Sequence, residues 1–332
     1  MRHAKSIAVA AAAAALTFTL TACGSEAPVL EPSASPSPEA AGAEGELTPI
    51  TVGVLPIIDV APLYLGVEEG VFEAHGLEVE IVKAESGPAI VPAVASGEYE
   101  FGFSNVTSLL LAQAGGEELQ IVAPGNYTTE DPAADFGNTV VPAGSAIAGA
   151  ADLAGKKVAV NAPKSLLQAT IMSEVEKAGG DPESVTFVPM PFGDMPAALA
   201  GGDVDAAMVM EPFLTLSKEQ GATPLDISFA SNQAELLVAG YFATDEYAAE
   251  NPEVVEAFIA ALTESFELAS DEATAREALG LYTTLEPAVR DAITLPVWKA
   301  ELDDTSVELQ AELAQKFNFS EGAELDAAGL LP

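Results

Sequence analysis

Residues 50–83 read ITVGVLPIIDVAPLYLGVEEGVFEAHGLEVEIVK. Ile50–Leu55 is a short apolar run of the kind that fills a buried strand, and Pro62–Ala74 reads as a helix stopped near Gly76. Leu77–Val82 then alternates apolar and acidic residues, as a strand does. Strand, helix and strand in that order form a crossover unit, which predicts an α/β protein with mostly parallel sheets. The pattern continues outward. Ala89–Ala95 is a short helix closed by Gly97, Glu100–Ser104 a strand, Val106–Ala114 a helix and Leu119–Ala123 a strand. A second series begins near Asp152, with strands at Lys157–Asn161, Val185–Met190 and Val204–Met210 and helices at Ser165–Ala178, Met195–Ala200 and Phe213–Gln220. Leu236–Ala243 is a last strand, and helices follow at Pro252–Ala269, Asp271–Thr283, Glu286–Ala292 and Thr305–Phe317.

With 332 residues, 49% of them hydrophobic, the chain has material for about two domains. It carries 12 Lys and Arg against 51 Asp and Glu, a formal charge of −39. That excludes nucleic acid as a partner, since such proteins displace counterions with a cationic face. It equally excludes attachment to anionic lipid through basic residues. A single Cys rules out a disulfide framework and a Cys-rich metal centre. With two His in all, one of them in the leader, a His-based metal site is not expected either, and no cofactor is called for. The acidic surface reads as a solvated face.

The amino terminus sets the expected location. Arg2, His3 and Lys5 precede an apolar run from Ile7 to Leu20 that is short for a bilayer span, so residues 1–22 read as a signal peptide. The run ends in Leu20-Thr21-Ala22-Cys23-Gly24, which resembles the bacterial lipobox. The resemblance implies that Cys23 becomes the first mature residue, carries lipid on its sulfur and anchors the protein to the outer face of the cell membrane. A multiply acylated terminus anchors lastingly, at about 0.8 kcal/mol per buried CH2. Residues 23–47 are rich in Pro, Ser, Ala and Glu and read as a disordered tether, with a reach of roughly 25–30 Å.

The globular part resembles one bacterial solute-binding family, whose members serve ABC importers of nitrate, alkanesulfonates, taurine and pyrimidine precursors of thiamine. The resemblance is carried in order by Pro56–Glu73, His75–Val79, Ala93–Gly102 (AVASGEYEFG), Asp152–Val160 (DLAGKKVAV), Ala197–Ala207 (AALAGGDVDAA) and Glu211-Pro212. It runs from about Ile50 to Phe317. It implies a type II periplasmic-binding-protein bilobe: two mostly parallel sheets flanked by helices, joined by two hinge crossings. Lobe one would be 48–141 plus 239–332 and lobe two 142–238, with crossings at Thr139–Pro142 and Leu237–Tyr241. The expected partners are a small-molecule ligand in the cleft and an ABC permease with its ATPase, the protein itself being a monomer.

Open parallel sheets bind ligands at the carboxyl ends of their strands. Asp59 follows the first strand, where it accepts a hydrogen bond from a ligand or caps the next helix. Tyr64 stacks on a ring or packs in the core. Ser86-Gly87 and Ser104-Asn105 stand before helix starts, where capping and ligand contact are compatible. Tyr127, in the loop after Leu119–Ala123, is a stacking candidate or an exposed aromatic. Asn161, Lys164 and Ser165 open a helix in lobe two, with Lys164 the one cation in a strand-end loop and otherwise a solvated head group. Phe192 closes over the ligand, and Glu211 caps a helix or reaches the ligand. Trp298, Met172, Met208 and Met210 read as core. No Arg falls near this cleft and two acids do. A neutral or amine-bearing solute of aminopyrimidine or vitamin-precursor type is therefore expected ahead of a sulfonate, taurine or nitrate. An enzyme on the same fold is the remaining alternative. It is disfavoured because neither His75 nor Cys23 is placed to react.

Overall fold

The computed structural model describes residues 46–332. The expected signal peptide at 1–22, the lipidated Cys23 and residues 23–45 of the tether lie outside the described residues. Among the described residues, ten strands form two five-stranded sheets. The chain opens with β1 (Thr48–Val54), α1 (Ala61–Glu68), α2 (Val71–Ala74), β2 (Leu77–Lys83), α3 (Gly87–Ala95), β3 (Phe101–Asn105), α4 (Val106–Ala114) and β4 (Leu119–Tyr127). It crosses into β5 (Gly137–Val141), β6 (Lys157–Val160), α5 (Leu166–Lys177), β7 (Thr186–Pro189), α6 (Met195–Gly201), β8 (Ala206–Met210), α7 (Phe213–Glu219) and β9 (Thr223–Pro224). It then returns as β10 (Leu237–Thr244), followed by α8 (Asp245–Glu250), α9 (Pro252–Ala269), α10 (Glu272–Tyr282), α11 (Pro287–Ala292) and α12 (Asp304–Lys316).

The sheet orders are β2-β1-β3-β10-β4 and β7-β6-β8-β5-β9. β1 runs parallel to β2 and β3, and β6 parallel to β7 and β8, while β10 and β5 are antiparallel to both their neighbours. Each lobe thus has one reversed strand in the fourth place, and in each case it is the strand the chain enters on crossing. The crossings are residues 128–136 and 225–236. They precede the expected positions: Thr139 stands opposite Met208 inside the β5–β8 ladder, and Tyr241 opposite Phe103. Gly137–Val141 therefore belongs to the second sheet and Leu237–Val238 to the first. Pro142 lies just past the end of β5, so the chain has already crossed before it.

Two other differences have local causes. The helix expected over Pro62–Ala74 is two, because Gly70 takes φ 73°, a left-handed conformation that stops α1 and restarts the chain as α2. β4 runs four residues past its expected end, through Pro124-Gly125, where register shifts absorb a residue that has no N–H to give. Helix α9 docks on the first sheet through Phe258, fully buried and stacked on Phe101 at 4.1 Å. No helix among the described residues is long and apolar enough to cross a membrane.

Helix α3 approaches β3 so closely that only glycine fits at its first position. A Cβ on Gly87 would lie 2.2 Å from Ser104 Oγ and 2.9 Å from Ser104 Cα. Gly87→Ala must move the helix or the strand, and we expect a loss of about 1–3 kcal/mol in urea unfolding, the usual cost of overpacking.

Candidate functional site

The two sheets present their strand ends to one narrow cavity. The turn after β1 contributes Leu55, Ile57 and Asp59; α3 contributes Gly87; the end of β3 contributes Phe103 and Asn105. From the other lobe come Asn161 after β6, Leu167 on α5, Phe192 after β7 and Met210 at the end of β8. Phe229, in the second crossing, and Val238 and Ala239 at the start of β10 complete the wall. Every side of the space is thus a strand terminus, a helix start or a crossing, as an open α/β sheet requires.

Asp59 is the one ionisable side chain in that wall, and no Lys or Arg lines it. The residue is 2% exposed, and its Oδ2 has no hydrogen-bond partner among the described residues. Burial pushes its carboxyl up to about 7, against the pull of its own backbone N–H and of the nearby Asn126 amide, which makes no full hydrogen bond to it. The main chain around it is fixed from three sides. The Trp298 indole donates to the Asp59 carbonyl at 3.0 Å and the Tyr282 hydroxyl to the Ile57 carbonyl at 2.9 Å, while the Ile58 N–H donates to the Glu211 carbonyl at 3.1 Å.

Asn105 both lines the cavity and joins the lobes. Its Oδ1 accepts from Ser108 N at 3.0 Å, capping α4, and from Leu166 N at 3.4 Å, at the start of α5. Asn161 has a buried Oδ1 without a partner among the described residues, and Phe192 lies near-parallel to Phe213 at 6.4 Å. Thus Asp59, Gly87, Asn105, Asn161 and Phe192 come together here.

The other expected residues are placed elsewhere. Tyr64 stacks on Tyr282 at 4.1 Å. Ser86 precedes α3 without capping it, and Ser104 lies behind Gly87 with its hydroxyl buried. Tyr127 belongs to β4, exchanges main-chain bonds with Val297 at 2.8 and 3.0 Å, donates its hydroxyl to the Glu301 carbonyl and lies 4.3 Å under Lys299. Lys164 pairs with Glu321 at 2.5 Å on the surface, and Ser165 donates to the Ala162 carbonyl at 2.9 Å. Glu211 is fully buried and spent. It accepts from Thr215 N at 2.9 Å, Thr215 Oγ1 at 2.8 Å and Thr294 N at 3.3 Å, and burial raises its carboxyl above the usual range against those bonds.

Three features had no distinguishing signal in the sequence. The apolar wall is built from residue types that fill any core, and Met210, which reads as core, is part of it. Asn126 is fully buried with neither side-chain atom bonded among the described residues. Asp135, in the first crossing, accepts from Thr129 N at 3.2 Å, Phe136 N at 3.1 Å and, in the second crossing, Ala230 N at 3.3 Å. Burial pushes its carboxyl up to about 6. The described residues hold no cluster of His, Cys, Asp and Glu suited to a metal ion.

Among solved structures, the chain is similar to the alkanesulfonate-binding protein of Xanthomonas axonopodis pv. citri bound to MOPS. The TM-score is 0.73 at 20% identity, over 87% of this chain and 99% of that one. The nitrate-binding protein of Synechocystis PCC 6803 gives 0.64 at 17% identity, over 74% of this chain and 69% of that one. A desulfurization enzyme gives 0.61 at 15% identity, over 85% of this chain and 94% of that one. These likenesses establish the fold, a periplasmic-binding-protein bilobe. In sequence, a candidate binding protein of Brucella abortus (strain 2308) is 29% identical over 205 residues, 60% of this chain. The match spans 59% of that relative's length. The NMT1/THI5-like family profile matches residues 57–274, from Ile57 on the cavity wall to the start of α10. The chain belongs to the NMT1/THI5-like family.

Proposed function

We propose that the protein is the solute-binding component of an ABC importer. It captures a small organic solute without anionic charge, of aminopyrimidine or related vitamin-precursor type, between two lobes that close about the crossings. It releases the solute unchanged to a permease with its ATPase, working as a monomer held at the outer face of the cell membrane through lipid on Cys23. The observation that carries this reading is the buried Asp59 carboxyl, whose Oδ2 has no partner among the described residues, in a cavity walled by Phe103, Phe192 and Phe229 and lined by no Lys or Arg. A sulfonate or nitrate there would face a buried like charge with no guanidinium to offset it. An N–H donor on a flat ring meets both the acceptor and the aromatic walls. Asp59 alone among the lining groups titrates, so no nucleophile and base stand together.

Native mass spectrometry of the protein as purified tests this reading. The expected result is a bound organic solute, neutral or cationic, recovered chemically unchanged. At a hundred times its dissociation constant it should stabilise the fold by about 2.7 kcal/mol. A bound alkylsulfonate or nitrate, or a solute altered on incubation, overturns it.

The buried charge also sets a pH dependence. A carboxyl whose folded value lies above its unfolded one favours the fold at low pH, and that contribution is lost as pH rises from about 4 through about 7. Asp59→Asn removes the term. Without added solute it should be more stable than the wild type at pH 8, by an unfolding free energy on the order of 4 kcal/mol and hence with a higher melting temperature, the gap closing towards pH 4. The same variant should lose the solute's stabilisation. Equal melting of the two proteins across this range would contradict an uncompensated charge at Asp59.

A further inference from the structure

Beside the cavity lies a group of polar side chains whose bonding capacity is unspent. Asp59 Oδ2, Tyr64 Oη, Tyr241 Oη and both polar atoms of Asn126 are buried and lack partners among the described residues. Asp59, Asn126 and Tyr241 are each at most 2% exposed. Native proteins pair nearly all such groups, so five orphaned atoms in one place need a cause.

Each member is tied to the cavity wall. Asn126 stands opposite the wall residue Ala239 in the β4–β10 ladder, where cross-strand neighbours share a face. Tyr241 packs edge-on against the wall residue Phe103, with ring centres 5.1 Å apart. Tyr64 stacks at 4.1 Å on Tyr282, whose hydroxyl is bonded to the wall residue Ile57. Asp59 is itself part of the wall. Consistent with this clustering, the Tyr241 hydroxyl is held well above its ordinary range by burial, with Asp59 and Tyr64 adding to the effect.

We propose that Asp59, Tyr64, Asn126 and Tyr241 form a second, polar subsite adjoining the aromatic cavity, and that it receives a primary ammonium carried on the ligand. All four side chains can accept a hydrogen bond, and one of them brings a negative charge. A primary ammonium has three donors and no acceptor, and it brings the charge that Asp59 lacks. A hydroxyl would leave the carboxylate uncompensated, and an anion would be repelled. This inference rests on the reading of the cleft as a solute site and narrows its ligand to a flat ring with an amine-bearing arm.

Tyr241→Phe and Asn126→Ala test it, with benzylammonium, benzyl alcohol and benzenesulfonate as probes in calorimetric titration at pH 7.5. The wild type is expected to bind benzylammonium and neither of the others. Each variant should bind it tenfold or more weakly, because hydrogen bonds to a charged group are the strong ones. Tyr241→Phe should melt no lower than the wild type, since it removes an unpartnered buried hydroxyl, and this separates lost binding from lost folding. Unchanged affinity in both variants overturns the subsite. So does a wild type that prefers benzyl alcohol or benzenesulfonate, or that binds none of the three. If native mass spectrometry meanwhile finds a non-anionic solute, the binding-protein reading stands while the ammonium subsite falls.

Discussion

Taking a carboxylate out of water without a cation beside it is among the costlier things a fold can do. This protein does so at Asp59 and then holds the surrounding backbone from three elements. Trp298, Tyr282 and Glu211 fix the turn that carries it, and each lies far from it in sequence. Stability is given up where strand ends from both lobes meet, and breaks with local rules of this kind concentrate at functional sites. Around Asp59 the wall is aromatic and aliphatic, with Phe103, Phe192 and Phe229 among its members.

The lobes are held in register by other polar side chains. Asp135 gathers N–H groups from both crossings, so the two connections are tied to each other as well as to the sheets. Asn105 caps its own helix and reaches the first N–H of α5 across the cleft. One side chain thus faces the cavity while bonding both lobes. Glu211 fastens the end of β8 to the carboxyl-terminal segment through Thr294, and Lys164 meets Glu321 at the surface. Exposed pairs of the latter kind contribute little, and the buried ones carry the arrangement.

Strand and helix periodicity made most of the architecture legible. Residues 50–83 alone reveal a crossover unit, and all but the short strands β5 and β9 and the helix α8 follow from similar patterns. The crossings did not, because a strand like Gly137–Val141 looks the same whichever sheet it joins. Pairing partners far away in sequence decide that. Within the site, Asp59, Asn105 and Phe192 were recognisable because polar or aromatic residues follow a strand there. Glu211, Tyr127 and Lys164 carry the same signal and are engaged elsewhere. What separates the two groups is whether Thr294, Glu301 or Glu321 arrives to meet them, and only the folded chain shows that. Tyr241 lies within an apolar strand and looks like an ordinary strand residue, and Asn126 follows Pro124-Gly125, where the sequence reads as a loop.

The most direct test of the account is the titration of the Asp59 carboxyl followed by carbon-13 NMR, in the free protein and with saturating benzylammonium. The account predicts a midpoint near 7 in the free protein and a fall by about two pH units when the cation binds, because an adjacent opposite charge favours the ionised form. An ordinary carboxylate midpoint in the free protein, or one that the cation leaves in place, would contradict it.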